Sequence, residues 1–189
     1  FLHNDKLEYI SAFTDNSKAK GIDVCKSFNL QLKVSMNKDP NMDLKVFLKE
    51  YEPDLVVLSG YMRIIPEEIV RDYTGKMINI HPSLLPKYPG LNTYKKVIDN
   101  KDKKHGVTIH FVTEELDRGP IILQGQFDIS KGLNEERLKF FTHRLEHEMF
   151  PRVIMWFSNE IIKLESNKVL FKNKEMTSPI IYPTSIKNL

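Results

Sequence analysis

The sequence has few of the features that mark secreted, membrane-bound or nucleic-acid-binding proteins. Cys25 is the single cysteine among 189 residues, which excludes a disulfide framework and predicts a protein of the reducing cytoplasm. No apolar run approaches the length of a membrane span, and the start of the chain lacks a signal-peptide pattern. The formal net charge is only +3, so composition favours neither nucleic acid nor a membrane as a partner.

Several common catalytic signatures are absent as well. The sequence contains no Walker phosphate loop and no serine elbow. His105 and His110 show no metal-ligand spacing with His81, which argues against a zinc site. Candidate functional residues must therefore be sought among other polar side chains.

Short apolar runs alternate with helical patterns, which predicts an α/β fold with a mostly parallel sheet and helices on both faces. The predicted strands span residues 9–13, 30–34, 55–58, 77–80, 106–112 and 121–129. The predicted helices span residues 17–28, 39–51, 66–73 and 93–100, and a last helix follows residue 134.

Three further expectations concern the burial of one strand, the course of the last helix and the number of domains. The continuous apolar run at 55–58 predicts a strand that is covered on both faces. Pro151 should kink or restart the last helix, because proline removes a backbone donor. The length fits one domain over residues 1–189, in which about 163–189 form a peripheral tail or a hairpin around Val169 to Phe171.

The end of the fourth predicted strand combines two polar residues that suit catalysis. Alternation places Asn79 and His81 on one face, and Ile78 and Ile80 on the other. Pro82 ends the strand, and open α/β sheets bind ligands at the carboxyl ends of parallel strands. Histidine can move a proton near neutral pH, and an asparagine amide can donate to a developing oxyanion. The pair therefore favours nucleophilic attack on a carbonyl carbon; alternatively, the two side chains only satisfy each other and nearby backbone.

Neighbouring loops add weaker indications. The irregular loop 82–92 contains three prolines and a glycine, and such loops beside strand ends often carry binding sites. Segment 61–65 follows the third predicted strand at the same expected edge, and polar segment 113–120 joins two later strands. Either segment could equally be ordinary surface. Taken alone, the residues support an α/β enzyme with a site at Asn79 and His81, in a reaction such as acyl transfer.

The run from Asn79 to Leu91, Asn-Ile-His-Pro-Ser-Leu-Leu-Pro-Lys-Tyr-Pro-Gly-Leu, resembles the signature of the folate-dependent formyltransferases. It is most similar to that of the phosphoribosylglycinamide (glycinamide ribonucleotide) formyltransferases. Segments 56–65, 105–112 and 115–124 resemble the same family in order and spacing. Tyr88-Pro89-Gly90 and Gly119-Pro120 favour this group over the methionyl-tRNA formyltransferases, which typically carry an Arg-Gly step in the loop and lack the Gly-Pro pair.

This resemblance implies a Rossmann-like, three-layer formyltransferase fold and a defined reaction. The formyl group of 10-formyltetrahydrofolate, the co-substrate, would pass to the amine of glycinamide ribonucleotide in purine synthesis, without a metal. The protein would be a cytoplasmic monomer or homodimer. Asn79 would bind the formyl oxygen, and His81 would stabilise the tetrahedral intermediate and assist proton transfer. Asp117 would pair with His81 and favour its charged form, since a nearby anion raises the pKa of an imidazole.

The resemblance also implies two binding surfaces. The folate-binding residues would be Met62, Arg63, Ile64, Ile65, Asn79, Thr113, Glu114, Glu115, Leu116 and Asp117. The nucleotide-binding residues would be Pro82, Gly90, His143 and Glu146, the last two lying one helical turn apart.

The start of the chain departs from the family pattern. The sequence opens with Phe1-Leu2-His3 and not with methionine, whereas the family opens with a strand and a turn that grips a phosphate. We therefore expect that this N-terminal strand and phosphate loop are missing from the sequence but present in the folded protein. Two alternatives remain: a transferase or hydrolase that uses the same folate with another acceptor, and a non-catalytic folate-binding protein.

Overall fold

The computed structural model describes residues 6–130 and 132–184, in which strands and helices alternate. The strands are β1 (Ala12–Thr14), β2 (Leu32–Val34), β3 (Val56–Leu58), β4 (Met77–His81), β5 (Lys104–Phe111), β6 (Ile121–Asp128), β7 (Ile162–Glu165), β8 (Lys168–Phe171), β9 (Lys174–Glu175) and β10 (Ile180–Tyr182). The helices are α1 (Gly21–Ser27), α2 (Pro40–Tyr51), α3 (Glu67–Asp72), α4 (Thr93–Asp99) and α5 (Glu135–Ser158).

The main sheet has five strands in the order β10-β6-β5-β4-β3. Strands β3 and β4 are parallel to each other, as are β10 and β6, whereas β5 is antiparallel to both of its neighbours. Four strands therefore run in one direction and β5 runs against them. This arrangement confirms the predicted α/β fold with a mostly parallel sheet.

Two apolar clusters cover the two faces of this sheet. Consecutive residues of β4 point to opposite faces, and Met77 and Ile78 accordingly belong to different clusters. The cluster around Met77 takes its other buried residues from α2, α3 and the loop before α3. The cluster around Ile78 is built with α4, α5, β5 and β6. Helices thus pack on both faces, as the alternating sequence pattern predicted.

The first two strands form a separate parallel pair, β1 with β2. Phe13 joins this pair to the rest of the molecule, because its ring lies 5.4 Å from that of Phe47 and 6.4 Å from that of Tyr61. Val57 of β3 is 38% exposed, so the expectation of a strand covered on both faces is wrong. Within residues 6–130 and 132–184, β3 is the last strand of the main sheet, where less of the chain packs against it. The expectation of further residues before Phe1 lies outside the described residues.

The last long helix begins as predicted and does not restart at Pro151. Asn134 caps α5 by accepting a hydrogen bond from the Arg137 amide, as its position before the acidic first turn predicted. The helix then continues through Pro151 to Ser158 without restarting. A buried stripe that includes Leu145 and Met149 holds the helix against the sheet and compensates for the backbone donor that proline lacks.

The chain beyond α5 contains two kinds of strand. Strands β7, β8 and β9 form a small antiparallel sheet where a hairpin was expected. Strand β10 instead joins the main sheet beside β6. Among the described residues, no helix is long and apolar enough to cross a membrane.

Candidate active site

Strand β4 presents the two residues that the sequence singled out. Asn79 and His81 share one face of the strand, and Ile78 and Ile80 are buried on the other. The carboxyl ends of β3 and β4 lie at the same edge of the sheet because the two strands are parallel. The predicted common orientation of Asn79 and His81 is confirmed.

Asp117 reaches both residues from the loop after β5. Its Oδ2 atom lies 3.3 Å from His81 Nδ1, and its Oδ1 atom lies 3.5 Å from Asn79 Nδ2. The side chains of His81 and Asp117 are only 7% and 8% exposed. The structure therefore brings the three residues of the predicted catalytic set together.

A tight return of the chain makes this approach possible. Asp117 has a left-handed backbone with φ of 52°, a conformation that costs energy in residues other than glycine. Gly119 follows two residues later, and a Cβ atom at this position would lie 1.8 Å from the carbonyl oxygen of Phe111. Only glycine fits that contact, which folds the loop back over the sheet edge towards His81.

The proline-rich loop supplies backbone partners to both members of the His81–Asp117 pair. His81 Nε2 lies 2.8 Å from the carbonyl oxygen of Tyr88, and the Gly90 amide donates to Asp117 Oδ2 over 2.7 Å. Ser83 is fully buried, and its hydroxyl donates to the Lys87 carbonyl over 2.6 Å. The loop therefore closes on itself and fixes two of its backbone groups at the site.

Two polar residues of the sheet hold the start of this loop. Thr108 Oγ1 donates to the carbonyl oxygen of Ser83 and accepts from the Leu85 amide. Gln124 Nε2 donates to the Leu85 carbonyl and to Thr108 Oγ1. Because this network is buried, its polar groups need these partners, and it fixes the loop relative to β5 and β6. Neither residue was singled out from the sequence.

The hydrogen-bond partners determine which nitrogen of His81 carries a proton. A carbonyl oxygen can only accept, so His81 Nε2 must donate to Tyr88. In the uncharged ring, Nδ1 is then bare and faces the Asp117 carboxylate. Gaining a proton at Nδ1 would turn two facing lone pairs into a charge-assisted hydrogen bond.

Burial opposes that protonation. Burial lowers the pKa of His81 and outweighs both the Tyr88 carbonyl and the Asp117 carboxylate, which raise it. The Asp117 carboxylate therefore acts in the expected direction, towards the charged ring, while burial acts more strongly against it. For Asp117, burial alone would raise the carboxyl pKa, but His110, the Gly90 amide and His81 together bring that pKa below its usual value. Asp117 is therefore a carboxylate, placed where it can hold a proton on His81 Nδ1 by a charge-assisted hydrogen bond.

His110 is a site residue that the sequence analysis missed. It lies directly opposite Asn79 in the β4–β5 register and is 2% exposed. Its Nε2 atom lies 3.2 Å from Asn79 Nδ2. Strand alternation places Thr108 and His110 on one face of β5, and this pattern could have identified His110 as a site residue. The sequence analysis considered His110 only as a possible metal ligand.

The predicted folate-binding segment after β3 is largely open to solvent. Met62 and Ile64 are 68% and 73% exposed, while Ile65 is buried in the core. Arg63 forms an ion pair with Asp15 and does not point freely into solvent. Exposed apolar side chains near a polar site suit the binding of a flat aromatic ligand.

The second predicted folate-binding segment is the loop that carries Asp117. Thr113 Oγ1 donates to the carbonyl oxygen of Glu115 within this loop, and Glu114 pairs with Arg71 at 3.7 Å. Leu116 is 56% exposed and adds apolar surface beside Asp117.

The predicted nucleotide-binding residues fall into two groups. Gly90 contacts the site directly through its amide, and Pro82 follows His81 in the chain. His143 and Glu146 lie on α5, and no hydrogen bond or ion pair in the described part of the chain joins them to His81 or Asp117. Burial raises the pKa of Glu146 to about 7, which is a property of many functional carboxylates.

Residues 6–130 and 132–184 contain no group of three or more histidine, cysteine or acidic side chains arranged to hold a metal ion. Asn79, His81 and Asp117 are side chains that support acid–base and hydrogen-bonding chemistry at a carbonyl group.

The chain is similar to known formyltransferases in sequence and in fold. The family model "Formyl transferase" matches residues 6–154. Phosphoribosylglycinamide formyltransferase of Escherichia coli is 46% identical over 117 residues, which are 62% of this chain and 55% of that protein. The Haemophilus influenzae protein of the same name is 36% identical over 159 residues, which are 84% of this chain and 75% of that protein.

A solved structure shows the same relationship. The phosphoribosylglycinamide formyltransferase of Coxiella burnetii superposes with a TM-score of 0.85 at 33% identity, covering 94% of this chain and 87% of that one. The chain spans only about half the length of the Escherichia coli relative. The chain belongs to the formyl transferase family.

Proposed function

We propose that this protein transfers the formyl group of 10-formyltetrahydrofolate to the amine of glycinamide ribonucleotide. The observation that carries the proposal is the contact of Asp117 with both Asn79 and His81 at the carboxyl end of β4, in a chain of the formyl transferase family. The relatives named phosphoribosylglycinamide formyltransferase support this choice of acceptor.

Asn79 is suited to stabilise negative charge on the reacting oxygen. Its amide Nδ2 faces the site and carries two hydrogens, which can be donated to an oxyanion more strongly than to a neutral carbonyl. The folate would supply the formyl carbon and a nitrogen leaving group. Asn79 therefore acts where charge develops in the transition state, as catalysis requires.

His81 is suited to move the proton of the attacking amine. In the uncharged ring its Nδ1 atom is the only nitrogen able to accept a proton, because Nε2 donates to Tyr88. Asp117 Oδ2, at 3.3 Å, stabilises the imidazolium that results. The proton shared by His81 Nδ1 and Asp117 Oδ2 can then leave this pair for the leaving nitrogen, which returns both groups to their starting state.

The binding surfaces suit the two proposed substrates. The exposed apolar side chains of Met62, Ile64 and Leu116 would contact the flat ring system of the folate. Glu146 and His143 on α5 would contact the nucleotide, and the raised pKa of Glu146 suits hydrogen bonding with sugar hydroxyl groups. We further propose that the protein acts in the cytoplasm.

The test is spectroscopic consumption of 10-formyltetrahydrofolate by the full-length gene product, with and without glycinamide ribonucleotide. Turnover that requires the nucleotide is the expected result. Equal turnover without the nucleotide would identify a hydrolase. Folate binding with no turnover under either condition would identify a non-catalytic folate-binding protein.

A further inference from the structure

His110 is a buried histidine whose side chain lies beside the proposed oxyanion donor. Antiparallel pairing of β4 and β5 sets His110 opposite Asn79, so that both side chains project from the same face of the sheet. The register between β5 and β6 shifts between Ile109 and His110, and such irregularities often re-aim a side chain next to a functional site.

Two contacts determine the tautomer of His110. Its Nδ1 atom lies 2.8 Å from the carbonyl oxygen of Phe111, which can only accept, so Nδ1 carries the hydrogen. In the uncharged ring, Nε2 is therefore an acceptor; Asp117 Oδ1 also lies near it, but at 3.7 Å it is beyond hydrogen-bond distance. The Nδ2 atom of Asn79 lies 3.2 Å from it and donates one N–H.

This contact fixes the orientation of the Asn79 amide. If the amide rotated by half a turn, its carbonyl oxygen would face the lone pair of His110 Nε2, which is repulsive. The nitrogen end must therefore stay on the side of His110 and Asp117. Without His110 the amide could present its oxygen to a developing oxyanion, which would oppose the reaction.

The second N–H of Asn79 is the one available to a substrate. Its contact with Asp117 Oδ1 is 3.5 Å long, which is at the limit of a hydrogen bond and is longer than the contact with His110. A strong acceptor such as an oxyanion can therefore replace Asp117 as the partner of this N–H.

We propose that His110 is a positioning residue for formyl transfer: it accepts one N–H of Asn79 and so keeps the other directed at the reacting carbonyl oxygen. This inference rests on the proposed function. Since the oxyanion forms only in the transition state, loss of His110 should lower kcat and leave KM nearly unchanged.

The kinetic test compares two substitutions at residue 110. His110→Met replaces the ring nitrogen by a thioether, which is only a weak acceptor, in a side chain of similar length, whereas His110→Gln offers an acceptor oxygen. We expect His110→Met to lower kcat by about tenfold to a hundredfold, below the roughly 10²–10³-fold loss typical of deleting an oxyanion donor. We expect His110→Gln to recover part of that loss, and thermal unfolding must show that each variant is folded.

A double-mutant cycle separates positioning from a general structural effect. If His110 acts through Asn79, adding His110→Met to Asn79→Ala should change kcat no further. An undiminished loss in the Asn79→Ala background would overturn the inference while leaving the proposed function intact. A lack of turnover by the parent protein would refute the proposed function instead.

Nuclear magnetic resonance tests the hydrogen bond without relying on activity. In ¹⁵N-labelled full-length protein, the histidine spectrum should show His110 with a protonated Nδ1 and a bare Nε2. The side-chain amide signals of Asn79, identified by their loss in Asn79→Ala, should shift in His110→Met. A protonated Nε2, or Asn79 signals that stay in place, would overturn the inference whatever the enzyme assay shows.

Discussion

The Nδ1 atom of His81 lies 3.3 Å from the Oδ2 atom of Asp117, and both side chains are almost completely buried. His81 stands at the end of a strand, whereas Asp117 is delivered by a loop that returns over the sheet edge. At this distance and burial, the carboxylate stabilises positive charge on the ring far more than it could in water. Asp117 therefore favours a proton on His81 Nδ1, against the effect of burial.

Removing the charge of Asp117 should nearly abolish turnover. Asp117→Asn keeps the shape of the side chain but cannot stabilise an imidazolium, so we expect kcat to fall by at least about a hundredfold. Binding of a folate analogue should change little, because the charge matters mainly in the transition state. Steady-state kinetics and analogue titration measure the two effects. The matched control is Asp128→Asn at the exposed end of β6, which should turn over normally. Near-normal turnover by Asp117→Asn would refute the proposed role of Asp117.

Deleting the amide of Asn79 should be similarly costly. Asn79→Ala removes the proposed oxyanion donor, and we expect kcat to fall by about a hundredfold or more. Asn79→Asp retains the shape but places a second carboxylate beside Asp117, so it should be at least as impaired. Single-turnover measurements at saturating substrates would isolate the chemical step. A loss confined to KM would show that Asn79 serves ground-state binding only.

The positions of Asn79 and His81 could be predicted because strand alternation is a local property. Asp117 could be named only through the family resemblance, since its approach depends on a left-handed residue and on the close contact of Gly119 with Phe111. The lowered pKa of His81 could not be predicted either. Its pKa depends on burial by the proline-rich loop and the sheet, which spacing along the chain does not reveal.

The fold shows the same division between local and tertiary information. Asn134 as a helix cap followed from its neighbours in sequence, whereas the continuity of α5 through Pro151 depends on packing against the sheet. The exposure of Val57 likewise depends on which strands flank β3. The apolar run itself carries no such information, because core and edge strands can have the same composition.

Lys96 should influence the pH dependence of the reaction. Its ammonium group donates to the Pro89 carbonyl over 3.3 Å and is among the groups that lower the pKa of His81. In the proposed mechanism the uncharged form of His81 accepts a proton. Lys96→Met should therefore raise the pKa of His81 and move the acid limb of the kcat/KM profile to higher pH. Lys96→Arg, which keeps the charge, should leave the limb in place. An acid limb that stays fixed or moves to lower pH in Lys96→Met would contradict this assignment.

Glu146 should destabilise the folded protein at neutral and higher pH. Burial raises its pKa to about 7, compared with about 4.3 in an unfolded chain. The fold therefore favours the protonated carboxyl, and stability is lost as pH rises between these values. Since one pKa unit is worth about 1.4 kcal/mol and the carboxyl keeps some contact with water, Glu146→Gln should raise the free energy of unfolding by roughly 1–2 kcal/mol at pH 8, with little gain at pH 4. Urea unfolding at both pH values measures this, and Glu50→Gln on the exposed side of α2 should show no such difference. An equal gain at both pH values would show that the effect comes from packing and not from the charge of the carboxylate. A higher KM for the nucleotide, together with the pH-dependent gain, would show that the protein gives up this stability for substrate binding.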